Sequence, residues 1–174
     1  RLLTESEWEY AARAGSQDIF SATWQGNGWS AGSQVNPDAE RAPAQMAPAV
    51  TSFAGTSYAT FLDERRGYPD LWFSQLDFGK SAWSEPLRLP TWANAGGDIA
   101  EEGAQIAVDQ NGAVHAVWSE YLWPYGRHVM YASLQAGRWS DPVRLSGNAD
   151  DGRERFVPAV AARNGTVAVV WSER

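Results

Sequence analysis

The sequence predicts an all-β fold: β-propeller blades of four antiparallel strands, in an incomplete ring of about three blade equivalents. Three observations carry this. The chain repeats itself: residues 18–35 match residues 128–145 without a gap at an offset of 110, and a third copy lies at 71–89. Short apolar stretches alternate with turns bearing Gly and Asn, and helical periodicity is hardly visible. Trp recurs at fixed places, as in Trp83-Ser84-Glu85-Pro86-Leu87-Arg88-Leu89 against Trp139-Ser140-Asp141-Pro142-Val143-Arg144-Leu145. A fixed period of this kind means stacked units that each bury a face no single unit can bury alone. A β-sandwich also has short hairpins, but it does not demand one Trp-Ser-acid signature at constant spacing.

The whole chain reads as one propeller segment. Residues 1–46 form a partial blade, 47–103 and 104–156 form whole blades, and 157–174 form the first half of the next. The unit at 104–145 is the template. A first strand covers 104–109, Asn111-Gly112 turns the chain, and a second strand covers 113–120. Asn-Gly suits a type I′ turn, whose two central residues need positive φ. A loop at 121–126 leads to a third strand at 128–135, and Gly137 turns into a fourth at 138–145. Asn164-Gly165 and Trp171-Ser172-Glu173 repeat Asn111-Gly112 and Trp118-Ser119-Glu120 at an offset of 53. Leu62-Asp63-Glu64 is read as the first whole blade's version of that signature. Trp8 falls on Trp118 at an offset of 110, so 5–10 is expected to be a strand paired with 19–24.

Composition narrows the function. The chain has 174 residues, 44% of them apolar, with ten Trp, six Tyr and six Phe. Trp buries a large area, so regular Trp positions mark repeated packing sites. Net charge is -7 with both signs interspersed, which argues against a nucleic-acid or anionic-membrane surface. No apolar run approaches the length of a membrane span. There is no cysteine, so disulfides, thiolate metal sites and cysteine nucleophiles are excluded. No cofactor or metal is expected. The chain opens on Arg1 and is read as a fragment or a processed product.

The unit resembles the BNR or Asp-box repeats of sialidase-like propellers. Ser74-Gln75-Leu76-Asp77-Phe78-Gly79-Lys80-Ser81-Ala82-Trp83 comes closest to that family's Ser-x-Asp-x-Gly-x-x-Trp, with one extra residue before Asp77 and one before Trp83. The copies ending at Trp29 and Trp139 are shorter and lack the Asp. The resemblance implies a folding device on the face away from the ligand site. It also frames an alternative, a fragment of a sialidase-like glycoside hydrolase. That activity needs an arginine cluster, a Tyr-Glu pair and an Asp acid, and the Phe/Tyr-Arg-x-Pro signature is absent. A second, shorter likeness lies at Arg1-Leu2-Leu3-Thr4-Glu5-Ser6-Glu7-Trp8-Glu9-Tyr10-Ala11-Ala12-Arg13, which is similar to a segment of formylglycine-generating-enzyme-like domains. It covers under a tenth of the chain, and the repeat register accounts for the same residues.

In a propeller the loops between second and third strands share one face. That face holds Arg65, Arg66 and Tyr68 from one blade, and Tyr121, Trp123, Tyr125 and Arg127 from the next. Flat rings and forked cationic donors are what a carbohydrate or peptide surface uses. These seven are the candidate ligand-binding residues. Glu120 recurs at Glu64 and Glu173, and a residue that every blade repeats is explained by packing. The resulting expectation is a non-catalytic recognition or scaffolding segment of an extracellular or cell-surface protein. Its expected partners are a glycan or protein ligand and other propeller blades, from the same longer chain or by self-association.

Overall fold

The computed structural model describes residues 18–35, 45–65, 69–77, 79–80, 82–91, 99–121, 126–147 and 153–174, without the side chains of 99–102. Among them every regular element is a strand, and every pairing is antiparallel. The expected strand at 5–10 lies outside the described residues.

The first unit contributes β1 (Phe20–Ser21) and β2 (Ser33–Gln34), with a bridge between Trp24 and Trp29. The second is a sheet in chain order: β3 (Gln45–Phe53), β4 (Thr56–Asp63), β5 (Asp70–Leu76) and β6 (Leu87–Arg88). The third has β7 (Ile99–Val108), β8 (Val114–Tyr121) and β9 (Arg127–Gln135). Its fourth strand is broken into β10 (Arg138–Trp139) and β11 (Val143–Arg144), both paired with β9. β12 (Arg155–Arg163) and β13 (Thr166–Glu173) form a final hairpin.

The repeat holds in register. Phe20 faces Gln34 as Met130 faces Arg144, and Trp24 faces Trp29 as Leu134 faces Trp139. The Ser after each repeated Trp explains the break in the fourth strand. Ser30, Ser84 and Ser140 donate their backbone N–H to the carbonyls of Thr23, Gln75 and Ser133, at 2.9, 2.8 and 2.8 Å. Their hydroxyls accept the N–H of those same three residues at 3.0, 3.1 and 3.1 Å. Each hydroxyl then donates to the next carbonyl, that of Ala31, Glu85 or Asp141. A hydroxyl has one proton and two lone pairs, so it satisfies both strands where the chain bends away.

Two details depart from the sequence reading. Asn111 does not take positive φ. The β7–β8 turn is longer, with Gly112 alone at positive φ and Asp109 at its head. The Asp109 carboxylate accepts the N–H groups of Asn111 and Ala113 at 2.8 and 2.9 Å, which spans the extra length. Two-residue turns with both central φ positive occur instead at Asn164-Gly165, Ala54-Gly55 and Ala136-Gly137. The signature alignment also shifts by one residue. Asp63 faces Gln45 as Glu120 faces Ile99 and Glu173 faces Arg155, so Phe61-Leu62-Asp63 matches Trp118-Ser119-Glu120. Glu64 is not the copy of Glu120. Counted from the turn glycines Gly55, Gly112 and Gly165, the residues Phe61, Trp118 and Trp171 hold the same place.

The first strands abut along the molecule, β3 on β7 and β7 on β12. Each carries an irregularity with a positive-φ residue, at Ala47, Gly103 and Val157. Here β7 begins at Ile99, ahead of the expected 104, because the bulge at Gly103 lets the chain continue pairing. A Cβ on Gly103 would lie 2.8 Å from the Ala47 carbonyl oxygen, so only glycine allows this approach of the second and third units. Apolar layers fill the spaces between sheets. Leu62, Leu71 and Phe73 pack on Val114, Ala116, Trp118 and Met130, and Ile19 and Val35 pack on Phe61 and Trp83. The fourth-strand Trp serves the preceding unit each time. Trp83 donates its indole N–H to Ser21 Oγ at 2.8 Å, and Trp139 meets the ring of Phe73 edge-on at 5.3 Å.

Candidate functional site

The chain enters β3 and β7 at one end of the sheets, where Ala47 meets Gly103. Antiparallel order brings the β4–β5 and β8–β9 connections to that same end. Of the seven candidates, Arg65, Tyr121 and Arg127 are described there. Arg66, Tyr68, Trp123 and Tyr125 lie outside the described residues.

Arg65 follows β4 and is clamped. Its Nη2 lies 2.7 Å from Asp63 Oδ2, and its Cζ sits 4.2 Å from the Trp72 ring centroid. The Asp63 carboxylate also accepts the Arg65 backbone N–H at 2.7 Å and the Gln45 amide at 3.0 Å. Arg65 Nε and Trp72 Nε1 are both buried without a hydrogen-bond partner. Arg127 opens β9, directly opposite Tyr121. Its Nε is 3.4 Å from Glu154 Oε2, and its Cζ is 5.5 Å from the Phe156 ring centroid. The two arginine side chains are 24% and 26% exposed. Each is therefore held between a carboxylate and a ring while part of it faces solvent. Such clamping lowers the conformational entropy lost when the exposed edge takes up a ligand.

Behind these groups lies a buried polar layer. Asp63 faces Asp70 across β4–β5, and Arg88 Nη2 reaches Asp70 at 3.0 Å. Glu120 faces His128 across β8–β9, and Glu120 accepts the Trp118 indole N–H at 2.9 Å. His128 Nδ1 lies 3.2 Å from Ser146 Oγ. Asp63, Asp70, Glu120 and His128 are all buried. Their repeated positions and close partners fit them for holding the loop ends rather than meeting a ligand.

Sequence reasoning placed Arg65 and Arg127 at this end but missed Trp72 and Phe156, whose rings lie against them. Trp72 gives a usable signal, since it sits one residue along the strand from the core-facing Leu71 and so points to the other side. Phe156 gives none, because it lies on β12, the first strand of the following unit.

Other groups stand apart from this end. Asp77, in the Asp-box-like turn, caps the opposite end and accepts from Thr56 and Gln75. His115 is packed, 5% exposed, with Nδ1 2.8 Å from the Tyr131 hydroxyl. Among the described residues no cluster of three or more His, Asp or Glu could hold a metal ion. Among them no helix is long and apolar enough to cross a membrane.

No protein-family model matches the chain, and neither does any curated protein. Among the solved structures that align with it are two glycoside-hydrolase structures. One, from Parabacteroides distasonis and proposed to be a glycoside hydrolase, is 13% identical, with 67% of this chain and 38% of that chain covered and a TM-score of 0.46. The other is a family 117 glycoside hydrolase produced by the marine bacterium Zobellia galactanivorans. It is 15% identical, with 95% of this chain and 57% of that chain covered and a TM-score of 0.49. The chain thus spans less than two thirds of either structure.

Proposed function

We propose that this chain is a non-catalytic propeller segment that recognises an acidic glycan at the end bearing the β4–β5 and β8–β9 connections. The supporting observation is the pair of clamped, partly exposed arginines, Arg65 and Arg127, on successive units. A guanidinium edge offers parallel donors that match a sugar carboxylate. Tyr121, with Tyr68, Trp123 and Tyr125 from the same loops, supplies rings of the kind that stack on sugar faces, and Arg66 adds a third cation. The chain's net charge is -7, so attraction must be local to this end. In this reading the protein is exported or displayed at a surface, where such glycans occur.

The test is binding to oligosaccharides carrying uronic or sialic acids, beside neutral ones of equal length. Acidic sugars should bind, and Arg65→Ala with Arg127→Ala should weaken binding by about tenfold or more, since a lost charged contact of about 1.5–3 kcal/mol has that effect. Equal binding of neutral sugars, or no effect of the double substitution, would overturn the reading. Turnover of a fluorogenic sialoside would replace it with the glycosidase alternative.

A further inference from the structure

Two buried donors beside the site lack an acceptor. Arg65 Nε and the indole Nε1 of Trp72 are screened from solvent, and neither has a hydrogen-bond partner. They are neighbours: Arg65 Cζ, one bond from Nε, sits 4.2 Å from the Trp72 ring centroid. The groups around them are satisfied. Arg65 Nη2 lies 2.7 Å from Asp63 Oδ2, and that carboxylate also accepts the Gln45 amide at 3.0 Å. A buried donor without a partner is costly, so two of them side by side mark a place suited to an acceptor.

The fold does not ask for an indole here. Phe20, Trp72 and Met130 hold the same place on the third strands of their units, opposite Gln34, Arg88 and Arg144. Phe and Met fill that place without an N–H. Where the fold does use a buried indole, the N–H is bonded: Trp83 donates to Ser21 Oγ at 2.8 Å, and Trp118 to Glu120 Oε2 at 2.9 Å. The Trp139 N–H is also unpaired, but at the opposite end, where its ring meets the apolar ring of Phe73. Trp72 instead sets its unpaired N–H beside a guanidinium that has an unpaired N–H of its own.

We propose that Trp72 is a specificity-determining residue: its indole N–H and Arg65 Nε together hold the carboxylate of an acidic sugar and select it over a sulfate ester. This rests on the glycan reading above. A carboxylate offers one oxygen to each donor. A sulfate ester has a third terminal oxygen, which would be buried at this pair without a donor, and that costs binding energy. The Arg65 side chain is partly exposed, so the pair lies at the margin of solvent. A sugar can reach in with its carboxylate there while its ring stays outside.

The probes are a glucuronate-bearing oligosaccharide and a sulfated one of equal length and charge, titrated calorimetrically into the 174-residue chain. The uronate should bind about tenfold or more tightly than the sulfate, the effect of one hydrogen bond to a charged group. Trp72→Phe keeps a ring beneath Arg65 and removes the donor. It should weaken uronate binding by about tenfold and erase the preference, with circular dichroism unchanged. The Trp72 indole N–H resonance of the wild-type chain is a second readout. It should move when the uronate is added and stay in place with the sulfated sugar. Equal binding of the two sugars, an undiminished preference in Trp72→Phe, or uronate binding that leaves this resonance in place would each overturn the assignment and leave the glycan reading standing. Failure of every acidic sugar to bind would overturn both.

Discussion

β8 and β13 share the series Val-x-x-Val-Trp-Ser-Glu at an offset of 53 and occupy the same place in their units, yet their surroundings differ. Trp118 is fully buried and its indole is bonded to Glu120; Trp171 is 37% exposed and Glu173 turns to Arg153 and Arg155. The difference lies in the neighbours. β8 is covered by β9 and by the second unit, while among the described residues β13 pairs with β12 alone. A repeated signature thus encodes a position in a sheet. Burial comes from what is laid against that position.

The strongest test of this comparison is truncation of the two indoles. Trp118→Ala should cost about 3–5 kcal/mol, because it leaves a cavity between two sheets. Trp171→Ala should cost about 1 kcal/mol, because part of that ring already meets water. Urea unfolding midpoints measure both, and equal losses would mean that β13 is covered in solution. Next in size is Glu120→Ala, which leaves the buried Trp118 N–H unpaired and should cost about 1–3 kcal/mol by the same measurement.

A smaller effect, of opposite sign, lies in the turns. The β12–β13 hairpin has Asn164 at φ 51, whereas the β3–β4 hairpin has Ala54 at φ 48. Asn tolerates the left-handed region better than Ala, so Ala54→Asn should raise stability by about 0.5 kcal/mol. No gain in thermal midpoint would show that this turn is not limiting.

The smallest effect is a pH dependence at the open end. The Arg153 hydrogen bond, aided by the charge of Arg155, holds the Glu173 carboxyl below its ordinary value of 4.5. A depressed carboxyl stabilises the fold above its unfolded pKa, and that contribution is lost as pH falls through the folded value. Wild type and Glu173→Gln should therefore differ in denaturation midpoint at neutral pH and converge under acid. A gap that stays constant would mean the ion pair is not formed.

Much of the architecture was legible from spacing alone. Period, turn residues and the Trp-Ser pair located strands three and four of the first three units, and the offset of 110 carried through to residue-level register. The hidden parts share one cause. Asn111-Gly112 has the composition of a two-residue turn, but Asp109 offers two backbone N–H groups a carboxylate acceptor and the longer turn prevails. Glu64 lost its place to Asp63 because strand pairing, not similarity of residues, decides which position matches Glu120. The site was half legible for the same reason. Arg65 and Arg127 could be placed on their loops, but the Phe156 ring reaches Arg127 from β12 of the next unit, a contact no local pattern specifies.

By itself the sequence determined that the chain is all-β, that its units repeat, and that a Trp-Ser pair recurs at fixed spacing. These depend on alternation, turn chemistry and hydrogen-bond capacity, which act between near neighbours in the chain. Only the tertiary structure decided which Trp is buried, which carboxylate binds which arginine, and why Gly103 must be glycine. Those outcomes depend on contacts between units such as Gly103 against Ala47 and Trp83 against Ser21, whose distances no local pattern specifies.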